Sequence, residues 1–502
     1  MTTGIGTLPP TIRQGILNVP GATAESKAVV ERLLEEDRNL HHCFFGNVGL
    51  HNHLSHHLLA AYDLGAPAQL LQDIYEKEKR RLSPIHLTDR KKGIVEEQPV
   101  VLTSQNYVQY LGQEKYYARF LEFFASEIAG LGTSEVLEIY IFAPSANGNG
   151  AHMLLRFVGG AVHPFIQTGY GVEFGSSAMV AQALAQTAVH SPFAPEIFDL
   201  TPQDEPQQKP SQADDNTHRQ PPRGRSLLAI LREAYDSSVM APVMPYDPNA
   251  LLSARIRDAR AKPGLADEIQ RLSAQWQVDA RGGQAELDAK IEELLWATTL
   301  LLAGTGRRGR APRLDFFLMH MLNASLFVPS LLRAVPTAAS RATMLRALVP
   351  VLLMYLTLRG RPRIDAGLLM SYTDTPVPPA VEGATIPQPD GSAIGDPRDA
   401  TTVNPWPAIV ASVLHAPDSH TLKAIRALYY SAQKYGTTPP GGAIGAFDEE
   451  GRETHEGMAQ VDGTIFIRAA GVVMDTLGWV THGQKAGGWD TSALGWDDAW
   501  KE

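Results

Sequence analysis

The stretch Leu50 to Gly65, LHNHLSHHLLAAYDLG, constrains this chain more than any other, because it places His51, His53, His56 and His57 in what reads as two turns of helix. At about 100° per residue His53 lies between His56 and His57 on one arc, while Leu54, Leu58 and Ala61 form an apolar stripe offset from it. Such a helix is buried along one face and presents imidazoles along the next, as metal ligands or proton carriers. Any one of these histidines alone reads as a satisfied core or surface residue. Three on one arc beside an apolar stripe point to a functional site.

Helices surround that stretch. Thr23 to Glu36 reads as a first helix, Gly65 closes the histidine helix as a C′ residue, and Ala66-Pro67 opens the next through Arg81 in a tight αα-hairpin. From Gln113 to Leu131 the residues Tyr116, Phe120, Phe123, Phe124 and Ile128 recur at helical spacing, an aromatic stripe that reads as core. Glu135 to Phe142 is too short to separate helix from strand. His152 to Phe174 keeps helical spacing but is broken at Gly159-Gly160 and at His163-Pro164. A residue before proline is biased out of αR, so His163 is expected at a break with its side chain turned inward.

Ser176 to Ala188 resumes as an alanine-rich helix, and Ser226 to Tyr235, Asn249 to Ala261, Leu265 to Gln277 and Gln284 to Leu302 are amphipathic. Arg313 to Leu332, which carries His320, and Ala338 to Arg359 read as buried helices. His420 to Tyr435 follows a cap at Asp418 or Ser419 and puts Lys423, Arg426 and Tyr430 on one face. Ile465 to Leu477 is the last helix, and GWDDAW supplies tryptophans that dock the terminus. The expected fold class is all-α, one large multi-helical body over residues 1–502 with its core over about 24–200 and 226–500. The Pro-, Gln- and Asp-rich residues 201–225 read as a disordered loop and 373–407 as an extended surface excursion.

Composition removes several function classes. The net charge of −10 is dispersed, with no basic stripe, which argues against nucleic acid or an anionic membrane as partner. Cys43 is the single cysteine, so an intrachain disulfide is excluded, a reducing compartment is the default and no structural zinc pattern can form. The N-terminus carries no secretory signal pattern, and the most apolar segment, Leu294 to Ala303, is too short to span a bilayer, so a soluble cytoplasmic protein is expected. Gly304-Thr-Gly-Arg-Arg-Gly309 matches GxGxxG only on paper, because it follows a helix rather than a strand.

The motifs HNHLSHHLLAAYDLGA, LGQEKYYARFLEFFASEI, HPFIQTGYGVEFGS, ALAQTAVH, FFLMHMLNASLF, HTLKAIRAL and GWDDAW occur in order from about residue 45 to the C-terminus, and with them the chain resembles the questin oxidase-like family. That resemblance implies oxidative opening of anthraquinone-type rings by Baeyer–Villiger-type oxygen insertion, on a small aromatic polyketide in fungal secondary metabolism. Carried over position by position, its motif histidines are His53, His56, His57, His163, His190, His320 and His420, and Lys423 and Arg426 match its basic pair. Where relatives tend to carry a second histidine in HPxxHxGYG, this chain has Gln167, which weakens a metal site built on that position.

Oxygen insertion needs activated oxygen, and no flavin fingerprint or heme cysteine motif is present. One route holds Fe(II) on His53, His57, His163 and His320, with open positions for O2 and a phenolic substrate, and with a carboxylated Lys423 or Glu173 as anionic ligand. The other needs no metal. A histidine deprotonates an electron-rich hydroquinone that reacts with O2 directly, Lys423 and Arg426 stabilise the anionic charge, and NADPH serves upstream as reductant. Phe165, Tyr170, Phe317 and Tyr430 are candidate walls for a flat substrate, with core packing the alternative for each. An iron ring-cleaving dioxygenase, a metal-dependent hydrolase and a non-enzymatic helical ligand carrier are the competing readings.

Overall fold

The computed structural model describes all residues except 1–7, 90–91, 96–99, 200–218, 243–244, 280, 382, 384–386 and 502. Helices dominate it. Two short ladders, Phe44–Phe45 with Leu50–His51 and Leu87–Asp89 with Ile94–Val95, are the only sheet among the described residues. The chain divides into two compact units, Met1–Glu196 with Phe327–Leu348, and Ile197–Leu326 with Val349–Glu502. The division falls inside two long helices rather than in the loop at 201–225, of which 201–218 lie outside the described residues. Residues 219–225 are held in place, with Arg219 forked onto Glu292 and Arg223 paired with Asp279 at 2.8 Å.

In the first unit α1 (Ala24–Leu40) starts where the Thr23 hydroxyl accepts the Ser26 amide at 3.1 Å, and it buries Val30, Leu33, Leu34 and Asp37. It packs against α2 (Leu54–Asp63) and α3 (Ala68–Glu78). The turn between those two needs Gly65, whose φ is +89° and whose Cβ would stand 2.7 Å from the Pro20 carbonyl oxygen. The aromatic stripe falls on α4 (Tyr117–Leu131), with Phe120, Phe123, Phe124 and Ile128 buried as core. Residues 133–142 are helical, ending in a wide π turn over Glu138–Phe142. Then α5 (Gly159–Glu173) and α6 (Ser177–Val189) pack closely together. Gly171 allows this, because a Cβ there would meet the Val180 amide nitrogen at 2.8 Å.

The second unit contains α7 (Leu227–Asp236), α8 (Gly283–Ala303), the N-terminal part of α9 (Phe316–Ala334), the C-terminal part of α10 (Ala338–Leu358), α11 (Ser419–Tyr435) and α12 (Ile465–Leu477). A fully buried ion pair, Lys290 to Glu293 at 2.8 Å, is completed by the Trp276 indole and the Leu227 amide, which both donate to Glu293. Helices α9 and α10 are long and apolar enough to cross a membrane by length and composition, which the sequence reading does not anticipate, and 83% of the residues in the most apolar 18-residue stretch of each are buried. The C-terminal tryptophans dock, with Trp500 donating to the Leu494 carbonyl at 2.9 Å and Trp496 lying against Gly360. The excursion at 373–407 is irregular among its described residues until Ala400–Thr402.

Candidate active site

The histidine stretch begins as strand and becomes helix only at Leu54, which corrects the expectation of two helical turns from Leu50. Asn52 decides the switch. Its side-chain oxygen accepts the Leu54 amide at 2.9 Å, and its amide donates to Asp37 at 2.8 Å. His51 therefore belongs to the strand and His53 takes the N-cap position, so the imidazoles diverge instead of sharing one arc. The His56 ring stacks on Tyr170 with centroids 4.8 Å apart. His57 turns to α3, its Nδ1 3.4 Å from the buried Glu78 carboxylate. Burial pushes the Glu78 carboxyl up, but His57 and Arg81 outweigh it and hold the group below its ordinary range.

His53 meets His163. Their Nε2 atoms are 2.9 Å apart, while His53 Nδ1 bonds to the His51 carbonyl at 2.7 Å and His163 Nδ1 to the Gly160 carbonyl. The break that turns His163 inward begins at the expected Gly159-Gly160 interruption, and the second expected break, at His163-Pro164, is absent. Gly160, Ala161 and Val162 all adopt left-handed φ values of 55°, 52° and 56°, after which the helix continues through Pro164. Two of these are not glycine and one is β-branched, so the turn stores roughly 1–2 kcal/mol per residue. Gly160 is irreplaceable sterically, because a Cβ would stand 2.1 Å from His190 Nε2. His190 in turn lies 2.9 Å from His51 Nε2, and the His51 ring stacks flat on His163 at 3.7 Å. Burial depresses His190 to about 4.

The second unit holds a corresponding pair on α9 and α11. Asp315 caps α9, accepting the Phe317 and Leu318 amides at 2.9 and 3.1 Å, and its other oxygen takes the Arg359 Nε at 2.7 Å. That fixes the Phe316 carbonyl, to which His320 Nδ1 bonds at 2.7 Å. His420 Nδ1 bonds to Asp418 at 2.7 Å, and the His320 and His420 rings lie 5.1 Å apart. Burial, then the charges of His420 and Lys423, push His320 well below the ordinary histidine range. Burial raises the Asp418 carboxyl, but His420 and Lys423 reverse this and hold it far below its usual range. Lys423 and Arg426 are buried at 2% and 0% exposure, so neither is a snorkelling surface cation.

The candidate walls separate in the same way. Phe165 packs on Phe157 at 5.3 Å within the core, and Tyr170 lies between His56 and Phe327. Phe317 carries the Arg359 guanidinium 4.8 Å over its ring and faces Tyr355 at 6.3 Å. Tyr430 is buried with Lys434 above it. Gln167 accepts from the Ser55 hydroxyl at 3.3 Å, and Glu173 accepts the Ile16 amide at 2.7 Å. Sequence reasoning assigns no role to His455, yet it is buried with its Nε2 on the Leu228 carbonyl at 3.0 Å. It also leaves His51, Asp37 and the Asp315–Arg359 pair without roles. Asn52 two residues before a helix start is the one local signal that could have revealed the cap.

His53, His163, His320 and His420 share one pattern. Each Nδ1 is tied to a carbonyl or carboxylate, which in the neutral ring sets the tautomer with the lone pair on Nε2. Buried, tethered imidazoles and buried cations in an all-α protein are groups that suit the class of enzymes doing acid–base or metal-assisted chemistry in a helical core. The comparisons narrow that class. A profile of the questin oxidase-like family matches residues 50–428, and the chain belongs to that family of oxidoreductases. It is 28% identical over 419 residues to the Baeyer-Villiger oxidase AgnL3 of Paecilomyces divaricatus, covering 82% of this chain and 80% of the relative. Likeness to a questin oxidase of Aspergillus terreus is 27% over 365 residues, 72% and 76% of the two chains. The Baeyer-Villiger monooxygenase AacuH of Aspergillus aculeatus is 26% identical over 501 residues, 96% of this chain and 91% of the relative.

Proposed function

We propose that this protein is an O2-dependent oxygenase that inserts oxygen beside a quinone-type carbonyl of an anthraquinone or its hydroquinone and so opens the ring of an aromatic polyketide. The observation that carries the reading is the His53–His163 contact. Both rings are tied through Nδ1, so two lone-pair nitrogens face each other at 2.9 Å, and only a shared proton or a cation relieves their repulsion. Before it takes up that proton the pair is a base, because a proton removed from a phenolic hydroxyl is then held between the two Nε2 atoms. Within the second unit the buried Lys423 and Arg426 are cations of the kind that stabilise enolate or peroxide charge. Within the first unit Tyr170, stacked on His56, is the favoured aromatic wall, since Phe165 is engaged within the core. NADPH is assigned upstream, to make the reduced substrate, and the cytoplasm is the proposed location.

The residues also fit iron. Two nitrogens 2.9 Å apart can face one ion, and a hydrogen bond from Nδ1 is what orients most histidine ligands. Fe(II) held by His53 and His163, or by His320 and His420, would supply activation of O2. His57 is better assigned to holding α2 against α3 through Glu78 than to the ligand set. Iron content of His53→Ala and His320→Ala, measured separately in protein purified without chelator, tells which pair binds. Full activity of the native protein with no iron would restrict the reading to the metal-free route. The reading as a whole is tested by O2 uptake. It predicts one O2 consumed per ring-opened product, with uptake lowered about 10²-fold or more in His163→Ala, whereas ring opening under strict anaerobiosis would favour the hydrolase.

A further inference from the structure

Behind α2 in the first unit lies a small polar cavity lined by Asp37, Asn52, Ser55, Tyr117, Gln167, Gln182 and Gln186, with Cys43 at its edge. It has room for about one water. Most of its lining is already engaged. Asp37 accepts from Asn52 at 2.8 Å and lies 3.0 Å from His41 Nδ1, the Ser55 hydroxyl donates to Gln167 at 3.3 Å, and Tyr117 bonds to Gln182. One group is not. Gln186 is 4% exposed and its side-chain oxygen has no hydrogen-bond partner among the described residues. An unpaired buried amide oxygen is a costly defect, and a cavity that is polar, lined from several helices and water-sized is where such a defect is repaired by solvent.

We propose that this cavity is a buried water site, in which one ordered water donates to Gln186 Oε1 and bonds across to the Gln167 and Ser55 groups. The inference stands on the cavity and on Gln186 and is independent of the reaction assigned above. The water joins α6, which carries Gln186, to α2 and α5, the helices that start at or carry His53 and His163. It also gives Gln167 a defined place. With Ser55 on one side and the water on the other, its carboxamide is committed to the cavity rather than to an imidazole.

A high-resolution crystal structure of the full chain tests the site directly. The expected result is a single density peak at hydrogen-bond distance from Gln186 Oε1 and from Gln167 or Ser55, absent in Gln186→Leu. A dry cavity, or a rotated Gln186 that bonds a protein donor instead, would overturn the proposal. So would a peak with shorter, more numerous oxygen contacts that is replaced by rubidium on soaking, since that marks a monovalent cation beside Asp37. If Gln186→Leu fails to fold, the native density alone decides.

Discussion

His163 is the residue on which the proposed chemistry turns, and its replacement has a direct reading. His163→Ala is expected to lower kcat by about 10²- to 10⁴-fold, with circular dichroism unchanged, as loss of a general base does. Retention of more than a tenth of the native rate would contradict that role. Burial also makes other histidines determinants of stability. His190 and His455 are each depressed from 6.5 to about 4, so both are neutral when folded, whereas the unfolded chain takes up their protons below 6.5. Their contribution is therefore complete above about pH 6.5 and lost as the pH falls toward 4, worth up to roughly 3 kcal/mol each. Urea denaturation at pH 7 and pH 5 checks this, and His455→Asn should flatten the slope. At this scale the sequence is informative about residue type and uninformative about partner. Four imidazoles in seven residues announce a site, yet only packing sends His53 to His163, His56 to Tyr170 and His57 to Glu78.

Among the elements, the left-handed turn before His163 and the capped start of α9 do the positioning. Gly160→Ala puts a methyl group into His190 and strains a residue at φ 55°, so a loss of more than about 1 kcal/mol is expected, together with loss of activity. Thermal unfolding with an activity assay measures both, and a variant of native stability and rate would show that the turn is incidental. Asp315→Ala removes the α9 cap and leaves Arg359 buried without its carboxylate, which should cost about 3–5 kcal/mol in urea titrations. Helix existence was legible from periodicity at almost every stretch, because buried apolar stripes recur at 3.6-residue spacing. The breaks were less so. Gly159-Gly160 marked where the turn begins, but it extends through Ala161 and Val162, whose own preferences oppose a left-handed conformation, and only tertiary packing imposes it.

Over the whole molecule, the all-α class followed from the sequence, since no stretch carried a sustained alternation long enough for a sheet core. The division into two units did not, because it passes through the continuous helices α9 and α10, where neither composition nor a linker marks it. Family membership was legible from ordered motifs, and the profile match over 50–428 agrees with it. The buried, tethered histidines of this helical fold are assigned to oxygen insertion rather than hydrolysis. Mass spectrometry of the ring-opened product after turnover in isotopically labelled O2 and, separately, in labelled water separates the two. The inserted atom is expected to carry label from O2 and none from water. Label from water alone, with none from O2, would contradict it.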